Sequence, residues 1–141
     1  MRGLTLPEVA TVMVIMGLVM SVAIHPINHA LDRAAVDEGS RRYGAMFETA
    51  RAFAIARARQ ARLELDTARR TAIIALKRGQ ISWDTVDQRP LGSARIGATA
   101  TLVTFSSLGV GLGLSNARIV FSRGNAADTL TISRTGRLKR F

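Results

Sequence analysis

The first sixth of the chain is dominated by one long apolar run, and shorter apolar patterns follow it. The run from Val9 to Ile24 carries no charge and only two hydroxyl side chains. As a helix, the 21 residues from Leu4 to Ile24 would rise about 31 Å, and a bilayer core needs about 20 apolar residues. The pattern therefore predicts a transmembrane helix over residues 4–27, kinked or interrupted at Pro26.

Behind Pro26 the apolar positions recur at helical spacing. They step by four, three, four, four and three residues: Tyr43, Phe47, Ala50, Ala54, Ala58 and Ala61. This stripe predicts a second, amphipathic half of the helix that ends at about residue 62 and packs on a sheet. Gly39 and Gly44 weaken the helix and are interpreted as bends.

From Arg62 onward the apolar period shortens to two, as in half-buried strands. The predicted strand segments are residues 62–66, 71–76, 81–83, 99–105, 118–121, 129–133 and 137–141. Residues 84–94 predict a loop, residues 106–115 a glycine-rich connector, and residues 124–128 a turn. The sequence therefore predicts an α+β fold, in which a long N-terminal helix packs on an antiparallel β-sheet. Residues 28–141 would form the single globular domain.

Glu8 stands directly in front of the apolar run, and it separates three interpretations of the N-terminus. The Ser21-Val-Ala23 sequence resembles a signal-peptidase site, but Glu8 stands where a signal peptide has basic residues. A plain membrane anchor leaves Glu8 unexplained, because a carboxylate inside a spanning helix costs about 2.5–3.5 kcal/mol. The third interpretation gives the carboxylate a partner.

The segment from Gly3 to Glu8, followed by an apolar run containing Gly17, resembles the N-terminus of type IV prepilins and type II secretion pseudopilins. The resemblance implies that residues 1–3 are a leader, that a prepilin peptidase cuts after Gly3, and that Leu4 is then methylated. Glu8 would be the fifth residue of the mature chain. It would pair with the terminal ammonium of a neighbouring subunit, so that its burial is offset only on assembly.

Three later segments narrow this resemblance: residues 49–57, 102–109 and 132–137 are similar to the GspH/FimT group of minor pseudopilins and minor pilins. The resemblance implies a structural subunit at or near the tip of a pilus or pseudopilus, with a role in filament assembly and protein secretion. The chain would cross the bacterial inner membrane once and expose residues 28–141 to the periplasm. Its partners would be the prepilin peptidase, other pilin subunits and the membrane.

The chain is strongly basic, with 20 Lys and Arg against 10 Asp and Glu and a net charge of +10. Such a charge favours anionic partners, although an arginine-rich genome would produce the same composition. The cations of the C-terminal end are Arg134, Arg137, Lys139 and Arg140. Strand alternation places Arg137 and Lys139 on one face and Arg140 on the other.

This ending resembles the Gly-Arg-x-Arg motif with which FimT-like members bind DNA during uptake, with Lys139 in the place of the second arginine. DNA binding by these four cations is therefore the alternative function. A solvated basic tail or a final strand shared by the family would account for the same residues.

Little in the sequence indicates catalysis. The chain has no cysteine, which removes disulfides and thiolate metal sites. His25 and His29 are four residues apart, but no third ligand lies near them. The glycines at 109, 111 and 113 do not form a dinucleotide-binding motif, and no nucleophile elbow or P-loop occurs. We expect no enzymatic activity, no cofactor and no metal site.

Overall fold

The computed structural model describes residues 5–113, 116–133 and 135–141, with the side chains of residues 22–26 excepted. One helix, α1, spans Leu6–Ala56, so the interruption predicted at Pro26 does not occur. The helix ends about six residues earlier than predicted, because Ala58 takes a positive φ of 48° and turns the chain into the first strand. Ala58 and Ala61 therefore do not extend the helical stripe.

Within the described residues, nine strands follow the helix. They are β1 Ala61–Asp66, β2 Thr71–Arg78, β3 Ser82–Pro90, β4 Arg95–Ala98, β5 Leu102–Phe105, β6 Gly111–Leu112, β7 Ala117–Arg123, β8 Ala126–Ile132 and β9 Leu138–Arg140. The first sheet has the order β3-β2-β1-β5-β6, and the second has the order β4-β7-β8-β9. All neighbouring strands are antiparallel. The predicted α+β fold is confirmed, with two sheets where one was expected.

β4 and β6 lie outside every predicted strand segment, and β6 falls in the predicted glycine-rich connector. The sequence predicts only the first two residues of β3 as strand and places the other seven in a loop. β3 is an edge strand that pairs with β2 on one side only, and most of its side chains are exposed. Both faces of β3 therefore accept polar side chains. The strand ends at Pro90, which has no N–H to donate, and an edge strand tolerates this loss. The turn predicted over residues 124–128 is also too long, because β8 begins at Ala126.

The helix joins the two sheets through one aromatic residue for each. The ring centroid of Tyr43 lies 6.4 Å from that of Phe121 on β7. The ring of Phe47 meets Phe105 on β5 edge-on, with centroids 5.0 Å apart. Tyr43, Phe47, Ala50 and Ala54 are all buried, which confirms the predicted stripe as far as Ala54.

Gly39 marks a close contact between α1 and the second sheet. A Cβ atom at this position would lie 2.8 Å from Cδ1 of Phe121 and 3.0 Å from the carbonyl oxygen of Leu91. Such distances leave no room for a side chain, so the glycine lets the helix approach the core. At Gly44 a Cβ would make an ordinary contact of 3.5 Å with Leu138.

Candidate assembly surface and basic face

The N-terminal part of α1 extends away from the domain. Every side chain described from residue 5 to residue 21 is exposed, and the first buried one is Ala35. Large apolar side chains such as Met13 and Val19 are about two-thirds exposed. In the described part of the chain, no helical stretch combines the length and the hydropathy of a membrane span. We call residues 6–21 the apolar arm; its surface requires cover that the domain itself does not supply.

Glu8 lies in the first turn of α1, at the start of the apolar arm. One of its carboxylate oxygens accepts hydrogen bonds of 2.8 Å from both the backbone N–H and the hydroxyl of Thr5. A carboxylate here also complements the positive end of the helix dipole. Glu8 is exposed, so its carboxylate is accessible to further donors. Gly3 and Leu4 lie outside the described residues.

The C-terminal cations separate onto two faces, as the alternation of β9 predicts. Lys139 lies opposite Thr131 on β8, and Thr131 lies opposite Arg118 on β7. Arg137 lines the same cleft as Arg118 and Lys139. This cleft has a volume of about 400 Å³. These three cations therefore share the outer face of the second sheet. Arg134 lies outside the described residues.

Arg95 belongs to the same face, since it pairs in register with Ser122, four residues from Arg118 on β7. We call Arg95, Arg118, Arg137 and Lys139 the basic face. The acidic residue of the second sheet, Asp128, has its side chain buried on the opposite side. No local pattern marks Arg95 or Arg118, because their position beside the C-terminal strand depends on the register of distant strands.

Arg140 points the other way and forms two ion pairs. Its Nε donates to Asp128 over 2.6 Å, and its terminal nitrogen donates to Asp37 on α1. The hydrogen bond from Arg140 lowers the pKa of Asp37 and, reciprocally, raises the pKa of Arg140. Arg140 thus ties β9 to β8 and to the helix, and two carboxylates already balance its charge.

Ion pairs neutralise some parts of the surface and leave other parts positively charged. Eight of the ten acidic residues lie within 4.0 Å of a cation, and eight cations take part in these pairs. Exposed pairs of this kind contribute little stability, but they neutralise their surroundings. Ten further cations of the described chain form no such pair, and the four of the basic face are among them.

The fold matches solved structures of a type IV minor pilin and of a minor pseudopilin from a type 2 secretion system. The type IV minor pilin FimU of Pseudomonas aeruginosa PAO1 matches in two crystal forms, with a TM-score of 0.61 for each. The identities are 14% and 18%, and the matches cover 74% and 76% of this chain and 91% and 88% of FimU.

The minor pseudopilin EpsH from the type 2 secretion system of Vibrio cholerae matches with a TM-score of 0.62 and 11% identity. That match covers 76% of this chain and 96% of EpsH. No protein-family model and no curated protein matches the sequence. These likenesses show that the chain has a pilin-like fold.

Proposed function

We propose that this chain is a minor pilin or pseudopilin, a structural subunit of a type IV pilus or a type II secretion pseudopilus. Its role is filament assembly at or near the tip, with no chemistry of its own. The observation that carries the proposal is the exposed apolar arm, which is continuous with a packed domain of pilin-like fold. Before assembly the arm would lie in the inner membrane, with residues 28–141 in the periplasm.

In the proposed mechanism, the prepilin peptidase cuts after Gly3 and exposes the amino group of Leu4, which is then methylated. The arm of each subunit then packs against the arms of its neighbours, which removes its apolar surface from lipid and water. Glu8 gives up its hydrogen bonds to Thr5 and pairs with the terminal ammonium of a neighbouring subunit. A buried carboxylate is tolerated only with such a partner, so Glu8 sets the axial position of the incoming arm.

The processing step is tested by the Gly3→Ala variant. We expect this variant to accumulate as the unprocessed precursor when it is produced with a prepilin peptidase, because the scissile bond follows Gly3. Intact-mass spectrometry distinguishes the precursor from the mature, N-methylated chain. Normal shortening of the Gly3→Ala chain would rule out processing at this site.

The docking step is tested by Glu8→Gln, which keeps the size of the side chain and removes its charge. We expect normal processing but at least a tenfold lower yield in sheared filaments, measured by immunoblotting, because the ammonium of the neighbour loses its partner. Thr5→Ala is the matched control, since it removes only the hydroxyl that binds Glu8 in the isolated chain. If both variants assembled equally poorly, capping of the helix rather than docking would be the role of Glu8.

DNA binding remains the second candidate function, and the composition of the basic face favours it. Arg137 and Lys139 share their cleft with Arg118, so that three cations on one face can contact phosphates. Phosphate contacts of this kind give affinity that falls steeply with salt. Arg140 is left out of this interface because it is paired with Asp37 and Asp128.

An electrophoretic shift assay on the full chain in detergent tests this candidate. We expect Arg137→Ala with Lys139→Ala to weaken DNA binding about tenfold or more and to lower the salt slope by roughly one unit per lost phosphate contact. Arg57→Ala with Arg59→Ala removes the same charge at a distance from the basic face and serves as the control. Equal losses in both double variants would indicate that net charge, and not this face, attracts DNA.

A further inference from the structure

Three turns meet at the end of the first sheet that lies farthest from the apolar arm. β1 begins at Ala61, which faces Leu76 near the end of β2 and Phe105 at the end of β5. The turns at residues 57–60, 79–81 and 106–110 therefore emerge side by side, next to the C-terminal end of α1. We call this surface the distal end.

The distal end carries an apolar ridge formed by Ile55, Leu108 and Val110. Leu108 is 81% exposed, and Ile55 and Val110 are about half exposed. Ile81, on the separate turn between β2 and β3, is 90% exposed. Gly109 has a φ of 76°, and a Cβ there would lie 2.7 Å from Cδ1 of Ile55. The loop after β5 therefore rests directly on the end of the helix, which places Leu108 and Val110 beside Ile55.

Positive charge surrounds this ridge. Arg51 packs against the same glycine, and Arg59 and Lys77 line one cleft between two of the turns. Among the described residues, none of these three cations has an ion-pair partner, nor does Arg57. The sequence contains no acidic residue between positions 48 and 64 or between positions 87 and 128. The turn at 57–60 and the loop at 106–110 thus bring no compensating charge.

We propose that the distal end binds a protein surface that has an apolar centre and a rim of carboxylates, carried by a different pilin-like subunit. This inference rests on the proposed function, in which this chain has neighbours along a filament. Exposed aliphatic side chains inside a charged rim are the usual anatomy of a protein interface. The charges of the rim would steer the partner into register.

Other occupants fit the distal end less well. A second copy of this chain offers few free carboxylates, because eight of its ten acidic residues are already paired. The bilayer that would hold the apolar arm is out of reach, since Ala56 lies 35 residues beyond Ser21 along the helix, a rise of about 52 Å. Nucleic acid would neutralise the cations but would leave the four aliphatic side chains without an apolar contact.

The test measures binding of the full chain, in detergent, to each other pilin-like subunit encoded in the same genome, by biolayer interferometry. Two variants target the distal end: Leu108→Ser with Val110→Ser for the ridge, and Arg57→Glu with Arg59→Glu for the rim. Arg118→Glu with Lys139→Glu is the control, because it makes the same charge change on the basic face. Thermal melts verify that each variant is folded.

We expect one subunit to bind the wild-type chain, with affinity that falls as salt rises. Each distal variant should lose at least tenfold in affinity, and the control should stay within twofold. Exchanging a glutamate of the partner for arginine should restore binding of the Arg57→Glu, Arg59→Glu chain. Wild-type affinity in both distal variants would overturn the proposal.

The proposal would also be overturned if the distal variants lost only self-association, binding to anionic vesicles or binding to DNA. These outcomes would assign the surface to a second copy, a lipid or a nucleic acid. The assembly assay on Glu8→Gln separates this inference from the proposed function, because that variant leaves the distal end unchanged. Defective assembly of Glu8→Gln together with wild-type affinity of the distal variants would retain the subunit role and reject the distal interface.

Discussion

At the scale of single residues, Gly39 sets how closely α1 approaches the second sheet. Glycine lowers helix propensity, so the local pattern at this position indicates a bend. The structure instead places Gly39 against the buried ring of Phe121 and the carbonyl of Leu91. Those partners lie far along the chain, so no local pattern could distinguish a close contact from a weak point in the helix.

Alanine substitutions at Gly39 and Gly44 should therefore change the stability of the domain in opposite directions. We expect Gly39→Ala to destabilise the domain by about 1–2 kcal/mol, since overpacking a core costs about 1–3 kcal/mol and exceeds the gain in helix propensity. Gly44→Ala has room for its methyl group beside Leu138 and should stabilise the domain by up to about 1 kcal/mol. Urea unfolding followed by circular dichroism measures both, and similar effects of the two variants would contradict the close contact.

The residues of the basic face were only partly predictable for a related reason. Alternation along β9 was sufficient to separate Arg137 and Lys139 from Arg140. It could not reveal that Arg118 lies across the sheet from Lys139, nor that Asp37 receives Arg140. Those relations depend on the register between strands and on how the helix lies on the sheet.

At the scale of elements, β9 is a three-residue edge strand that needs support from outside its own sheet. Leu138 lies close to Gly44 of α1, and Arg140 connects the strand to Asp37 and to the buried Asp128. Arg140 and Lys139 lie on opposite faces of β9. Arg140 ties the strand to the helix and to β8, and Lys139 therefore lies on the basic face. The position of the basic face therefore depends on the ion pairs beneath it.

The pH dependence of stability tests this connection. Since the pKa of Asp37 is lowered in the folded chain, its contribution is present above the unfolded pKa of about 3.9 and is lost as the pH falls through the lower folded value. We expect Asp37→Asn to melt at a lower temperature than the wild-type chain at pH 6, with the gap closing as the pH falls below about 3.9.

Glu48→Gln is the matched control, because Glu48 is an exposed helix residue without a cation within 4.0 Å among the described residues. Its melting temperature should follow that of the wild-type chain throughout. A gap between Asp37→Asn and the wild-type chain that did not change with pH would show that the asparagine acts through packing and not through the charge of Asp37.

The two boundaries that the sequence misplaced have one physical cause, which is that local composition and tertiary pairing disagree. Residues 57–62 are rich in alanine and arginine, both good helix formers, yet Ala61 is buried as the first residue of β1. The polar strand β3 contains aspartates that disfavour strands, yet it pairs with β2 from Ser82 to Pro90, with one bulge between Thr85 and Asp87. Pairing with a neighbouring strand outweighs local propensity in both cases.

At the scale of the whole molecule, α1 serves two environments with one continuous helix. Its C-terminal part supplies the core that joins both sheets, and none of the side chains described before Ala35 is buried. Such a division is what the proposed function requires, because the arm must move from the membrane into a filament while the domain stays folded. The arm should therefore affect the solubility and the assembly of the chain, but not the free energy of unfolding of the domain.

A chain that begins at residue 28 should accordingly retain the full stability of the domain. It keeps Asp32, which pairs with Arg123 at 3.1 Å, and every side chain described as buried. We expect its melting temperature in detergent, followed by circular dichroism, to lie within about 3 °C of that of the full chain, which corresponds to less than about 1 kcal/mol. Without detergent it should stay monomeric in analytical ultracentrifugation, whereas the full chain associates through its apolar arm. A melting temperature lowered by 10 °C or more would mean that the arm is part of the folding unit, and the arm could then not exchange environments independently of the domain.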